Sequence, residues 1–182
     1  MESFSFCNPT QIEFGAGKEK EIGKHLHVNH VKSVLLTYGS ERIKNDGLFD
    51  TVVASLKAHD ICFVELGGIV SNPLLSKVYE GIEMAKVNQV DAILSVGGGS
   101  VLDSSKAIAA GALYDGDVWD FFLGKASVTK ALPLFDIITL AATGSEMNCG
   151  GVVTNDTTKQ KYAIQSPFLY PKVSIISPEL QS

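Results

Sequence analysis

The chain has 182 residues, 45% hydrophobic and 19% charged, with a formal net charge of −5. That length can bury a core in one domain, while an acidic balance with no basic stripe excludes general attraction to nucleic acid. No apolar run approaches the roughly 20 residues of a membrane span, and three widely spaced cysteines without a C-x-x-C pair read as buried free thiols in a reducing compartment.

The N-terminal Met-Glu-Ser-Phe-Ser-Phe-Cys lacks the basic region of a signal peptide, so the cytoplasm is the expected location. Residues 8–17 read as a short strand between turn residues. Lys18 to about His30 is predicted as a helix, with Ile22 and Leu26 on one face. His25, His27 and His30 stand at its end. Their spacing does not fit one helical face and no carboxylate or cysteine accompanies them, so no metal site is expected. Ser33 to Tyr38 is a second strand, broken by Gly39-Ser40. A helix restarted after Gly47 follows, with Leu48, Val52 and Leu56 along one side. Ile61 to Leu66 is a third strand, and a loop through Asn72-Pro73 leads to a helix with Leu75, Val78, Ile82 and Ala85 facing inward.

Ala92 to Val96 is a short apolar run, as expected for a strand covered on both faces of a parallel sheet. It ends in Gly97-Gly98-Gly99-Ser100. Ser100 is a good N-cap, and Asp103 three residues later completes a capping box, which predicts a helix from Val101 to about Leu113. Glycines at such a junction let backbone N–H groups crowd around a ligand, and the helix dipole favours an anion, most naturally a phosphate. A tight turn without a ligand would need only one glycine. The dinucleotide fingerprint G-x-G-x-x-G fails at Leu102, and no P-loop pattern occurs.

Asp117 to Phe122 reads as aromatic packing. Phe135 to Ala141 is a further strand, running into Thr143-Gly144-Ser145-Glu146. Thr143 and Glu146 have capping-box spacing, and Thr139, Thr143 and Ser145 put hydroxyls at a strand end. Gly151 to Thr154 and Lys161 to Gln165 form a hairpin around Asn155-Asp156, with Lys161 near its base. An ordinary surface lysine is the alternative there. Val173 to Ser177 is the last strand. The alternation predicts an α/β, Rossmann-like fold: a doubly wound, mostly parallel sheet with helices on both faces and a small β-hairpin. Ligands on such sheets collect at the carboxyl ends of strands, which puts Gly39, Asn72 and Gly97 to Ser100 along one rim.

Several pieces now combine: Asn8-Pro9-Thr10, Phe14-Gly15-Ala16-Gly17, Leu36-Thr37-Tyr38-Gly39, Asn72-Pro73, Gly97 to Asp103 with Lys106, and Thr139 to Glu146. In that order and spacing the chain resembles the N-terminal half of the iron-containing (group III) alcohol dehydrogenases, and looks most like their butanol dehydrogenase branch. The resemblance implies a nicotinamide-dependent oxidoreductase interconverting alcohols and aldehydes, of which residues 1–182 are the dinucleotide-binding domain. It sets Gly97, Gly98, Gly99 and Ser100 on the pyrophosphate, Gly39 and Ser40 at the adenosine ribose and Asn72 beside the cofactor. Thr139, Thr143, Asn148 and Lys161 fall on cofactor-contact positions. Asp103 and Lys106 belong to the motif, Asp103 with a capping role only and Lys106 without a separate one.

The resemblance also implies iron or zinc, held by an aspartate and three histidines of a following helical domain beyond residue 182. None of His25, His27, His30 and His59 matches those ligands. A small alcohol or aldehyde substrate and a homodimer are expected for the full-length protein, with no nucleic acid or membrane partner. A metal-free nucleotide-binding module and a related glycerol or sugar-phosphate dehydrogenase domain are the alternatives. The chain departs from the family with Ser177 where relatives usually carry aspartate, and with Ser40-Glu41-Arg42 in place of a more glycine-rich turn. Gly39 occupies a position where members that prefer NAD carry aspartate. Its lack of a carboxylate, with Ser40 and Arg42 as donors, favours NADP over NAD. Glu41 opposes that choice, and a tight turn at Gly39 would explain the glycine by itself.

Overall fold

The structure is a computed structural model that describes residue 3 and residues 7–142 and 144–181. In chain order its elements are β1 (Gln11–Phe14), α1 (Ile22–Val28), β2 (Ser33–Tyr38), α2 (Arg42–Asn45), α3 (Leu48–Ala58), β3 (Cys62–Leu66) and α4 (Leu75–Val87). Then come β4 (Ala92–Gly97), α5 (Gly99–Ala112), α6 (Trp119–Phe122), β5 (Leu134–Ile138), β6 (Gly150–Thr154), β7 (Lys161–Gln165) and β8 (Val173–Ile176). Six strands form one sheet in the order β1-β8-β5-β4-β2-β3, every pair parallel, and β6-β7 is a separate antiparallel hairpin. The expected doubly wound architecture is the one observed.

Successive side chains of a strand point to opposite faces, so the apolar strands feed two cores. Val34, Leu36, Leu94, Val96, Phe135 and Ile137 pack against α1, α2 and α3 through residues such as Ile22, Leu26, Val52 and Leu56. Leu35, Ile93 and Leu134 face the other way, onto α4, α5, α6 and the hairpin. Full burial of each large apolar side chain contributes roughly 1.5–3 kcal/mol. The aromatic segment packs as expected, with Trp119 stacked on Phe122 and Tyr162 at 4.8 and 5.7 Å.

Several local expectations are corrected. The first helix opens as a 3-10 turn, Lys18–Glu21, because Gly17 enters at φ 76°. The strand predicted to Ala141 stops at Ile138, since its neighbours β4 and β8 end at Gly97 and Ile176 and leave no further ladder. Ile82 is only half-buried at the edge of its core. The thiols are free but not buried: Cys7 and Cys62 are exposed and Cys149 partly so, Cys62 because it starts the edge strand β3.

The largest correction concerns α5. It begins at Gly99, with Gly98 as a cap in extended conformation and no side-chain cap, so Ser100 lies inside the first turn. Asp103 is therefore not the far half of a capping box. Its two oxygens accept from Ser145 Oγ at 2.8 Å and from the Val152 N–H at 3.1 Å. The residue that would have closed the cap instead fastens the segment after β5 to the helix.

Candidate functional site

The winding of the sheet reverses between β2 and β4. From β2 the chain moves outward to β3, then returns to lay β4 on the other side of β2. The connection after β2 leads to α2 and α3 on one face, and the connection after β4 leads to α5 on the other. A crevice opens at the carboxyl ends where two connections part, and it is the default ligand position of an open α/β sheet. Tyr38 pairs with Val96, so Gly39 and Gly97 are the first residues past the β2–β4 pairing, on the two sides of that crevice.

Gly97 is there for close packing: a Cβ would stand 2.7 Å from Val101 Cγ2. At Gly98 a Cβ would meet nothing nearer than Leu140, at 3.9 Å, so that position opens into space. The first α5 bond runs from the Leu102 N–H to the Gly98 carbonyl at 3.2 Å. The N–H groups of Gly99, Ser100 and Val101 consequently have no intrahelical acceptor. Three backbone donors at the positive end of a 14-residue helix form a seat for an anion. Gly39 has a packing reason as well, since a Cβ would lie 3.1 Å from the Ile69 carbonyl and the Gly68 N–H bonds to the Gly39 carbonyl at 2.7 Å.

A groove of about 790 Å³ runs from Gly98, Thr139 and Leu140 past the α2–α3 junction to the C-terminal turn at Leu180. Thr139 is held at this wall by its N–H on the Gly97 carbonyl at 3.0 Å, just past the last β4–β5 pair. Arg42 lines the groove, as do Glu19, Asp46 and Glu179. Ser40 is exposed, and its Oγ accepts from the Arg42 N–H at 3.4 Å, which sets the turn into α2.

Asn72 and Lys161 are brought together some distance from that turn. Asn72 takes a positive φ of 56°, a conformation asparagine tolerates better than most residues, and its Oδ1 accepts from Lys161 Nζ at 3.3 Å. The hairpin is held beside this loop by the Thr154 N–H on the Pro73 carbonyl at 2.8 Å. Thr143 lies outside the described residues. Asn148 is exposed on the segment between β5 and β6, next to the Lys106 ammonium. Lys106 itself, left without a role in the sequence, is fully buried. One signal pointed to it: a lysine in a helix that, Asp103 apart, is made of small and apolar residues.

Beneath α5 the sheet turns polar. Thr37, Ser95, Asp136 and Ser174 are register partners across four neighbouring strands and are all buried. Thr37 Oγ1 meets Ser105 Oγ at 2.7 Å, and Ser174 Oγ donates to Asp136 Oδ1 at 2.5 Å. Asp136 Oδ2 has no protein partner. Burial holds the Asp136 carboxyl well above its ordinary 3.8, against the pull of the Ser174 hydroxyl and the Lys106 charge.

The three helix-end histidines separate. His27 lies against His59, ring centroids 5.5 Å apart, while His25 turns to β1 with Nε2 4.0 Å from Glu13 Oε1. The expectation that no carboxylate accompanies them is corrected, because Glu13, Glu21 and His25 place ligand atoms within 4.8 Å of one another. Lys18 already supplies a cation there, 3.7 Å from Glu13 and 3.3 Å from Glu21. Sequence spacing missed this meeting because Glu13 comes from a strand and His25 from the following helix.

Residues 9–178 match the family model described as iron-containing alcohol dehydrogenase. The chain is 46% identical over 178 residues to a probable NADH-dependent butanol dehydrogenase 1 of Bacillus subtilis, covering 98% of this chain and 46% of that protein. It is 36% identical over 181 residues to the NADPH-dependent aldehyde reductase YqhD of Escherichia coli, covering 98% of this chain and 46% of the reductase. Among solved structures, the NADH-dependent butanol dehydrogenase A of Thermotoga maritima superposes with a TM-score of 0.96 at 54% identity, over 100% of this chain and 46% of that one. The chain thus spans about half the length of these relatives.

Proposed function

The chain belongs to the iron-containing alcohol dehydrogenase family, and on that premise we propose that residues 1–182 are the dinucleotide-binding domain of an NAD(P)-dependent alcohol or aldehyde oxidoreductase. The observation that carries this reading is the turn at the switch point. The N–H groups of Gly99, Ser100 and Val101 have no intrahelical acceptor, and Gly98 beside them lines the groove without a side chain. A pyrophosphate fits that seat, with Gly97 to Ser100 around it and Thr139 alongside. Gly39 and Ser40 stand at the ribose end, with Asn72, Asn148 and Lys161 along the remaining length and Thr143 assigned by its position in the motif. The bound nicotinamide would accept or deliver hydride, and this chain's residues bind and orient it.

NADP is the favoured form: no carboxylate projects from Gly39, Ser40 carries a hydroxyl, and Arg42 lines the groove. NAD is the second reading, supported by the carboxylates of Glu19, Asp46 and Glu179 along the same groove, which would repel a 2′-phosphate. For the whole protein we place iron or zinc, a small alcohol or aldehyde substrate and a homodimer, in the cytoplasm. Among the described residues no helix is long and apolar enough to cross a membrane.

The test is Gly98→Val, with both reduced cofactors titrated and folding followed by circular dichroism. A Cβ at Gly98 meets no atom closer than 3.9 Å, so the melting curve should stay near wild type while affinity drops about tenfold or more by steric exclusion from the amides. Undiminished affinity in a folded variant overturns the assignment. Tighter NADH than NADPH binding by the wild type reverses the order of the two cofactors.

A further inference from the structure

Lys106 is among the largest fully buried side chains of the described residues, and it is the charged one in that group. Its Nζ lies 2.7–3.1 Å from five oxygens: the Ser145 carbonyl and Oγ, the Asn148 carbonyl and Oδ1, and the Gly150 carbonyl. An ammonium has three N–H donors, so these acceptors share them. A neutral amine would offer two and turn a lone pair onto oxygens, so the cage fits the charged form. Asp103, one turn earlier on α5, clasps the same segment through Ser145 and Val152.

The cage has a consequence at Asn148. Its Oδ1 accepts both from Lys106 Nζ at 2.9 Å and from the Gly150 N–H at 3.1 Å. With both lone pairs of that oxygen engaged, the amide cannot rotate by half a turn without losing two bonds. The NH2 group is therefore turned away from Lys106 and the Gly150 N–H, on a residue that is exposed.

We propose that Lys106 is a positioning residue for the cofactor, whose ammonium fixes the Asn148 amide so that its NH2 group donates to the bound dinucleotide. This rests on the reading of the chain as a dinucleotide-binding domain. Lys106 acts only through Asn148 and the 145–150 segment, which it holds to α5 from the buried side. Burial pushes the lysine down to about 8, opposed by Asp103 on its own helix, Asp136 on β5, and Cys149 and Glu146 on the turn. The cation that holds the amide is thus lost within an accessible pH range.

The experiment titrates NADPH and NADH into the full chain across the pH window centred on about 8, using wild type, Asn148→Asp and Lys106→Met. Wild-type affinity should fall about tenfold as pH rises through that window, because binding favours the charged lysine. Asn148→Asp keeps an acceptor for the ammonium and the wild-type melting temperature, yet loses about tenfold in affinity because the donor is gone. Lys106→Met, where it folds, should bind weakly and without that pH dependence. Wild-type affinity in Asn148→Asp, or a flat wild-type profile across the window, overturns the role of Lys106 while leaving the domain assignment standing. Absence of binding of either dinucleotide at every pH overturns both.

Discussion

The two faces of the sheet are built on different principles, and adjacent residues of one strand show it. Phe135 points to the α1–α3 face, where Leu36, Leu94, Val96 and Ile137 surround it with hydrocarbon. Asp136, the next residue, points to the α5 face into a row of Thr37, Ser95 and Ser174, with Ser104, Ser105 and Lys106 above it on the helix. Both positions are fully buried. The first face is held by area removed from water. The second contains donors and acceptors in low dielectric, some of them unpaired, and such groups cost stability unless they are matched. Both faces bury an apolar core, but only the α5 face adds a polar row, and that row lies under the helix that starts at the glycine turn. Unpaired groups at Asp136, Ser95 and Ser104 are the cost of placing that polar support under α5.

The contrast can be tested at its two ends. Phe135→Ala should have the largest effect, a loss of about 3–5 kcal/mol of unfolding free energy in denaturant titrations. Dinucleotide affinity of the folded fraction should be unchanged. A loss under about 1 kcal/mol would mean that the core around Phe135 repacks freely.

Asp136→Asn comes next and turns on pH. The folded-state value of Asp136 is raised, so between its ordinary 3.8 and that value the native chain keeps a proton the unfolded chain has released. The associated stability is complete below 3.8 and lost as pH rises through the folded value. Asparagine retains an acceptor for Ser174 Oγ and carries no charge. The wild type minus variant difference in unfolding free energy should therefore decline with rising pH, by up to about 1.4 kcal/mol per unit. Parallel pH profiles would show that Asp136 does not titrate in the fold.

Ser104→Ala gives the smallest effect. Ser104 Oγ is buried on α5 without a protein partner, so removing it should raise stability, by up to about 1 kcal/mol. A drop of that size would mean the hydroxyl is satisfied in solution, and the polar face would then be better matched than its protein contacts indicate.

How far the site was legible depended on whether its determinants are local. Gly97-Gly98-Gly99-Ser100 after an apolar run announced a strand, a glycine turn and a helix start, all decided within ten residues or so of chain. Gly39 and Asn72 fell on the correct rim because the order of strands and helices fixes which ends share an edge. Asp103 was misread for a concrete reason: spacing of three from Ser100 fits a capping box, and nothing nearby shows that Val152, 49 residues on, will claim the carboxylate. Lys106 and Asp136 carried a weaker signal, a charge set among positions that the helix and strand patterns mark as buried. The pattern marks the anomaly, but not the partners that resolve it.

Sequence by itself determined the alternating elements, the parallel sheet, the glycine turn and the family, because periodicity, turn chemistry and motif spacing act between residues close along the chain. Only the tertiary structure decided that Gly98 opens into the groove while Gly97 and Gly39 are closed by neighbours. It also decided that His25 turns to Glu13 and that five oxygens of one distant segment converge on Lys106. Those outcomes depend on which surfaces meet when helices and a hairpin close over the sheet, and desolvation then forces each buried charge to find whatever partner packing has brought within reach.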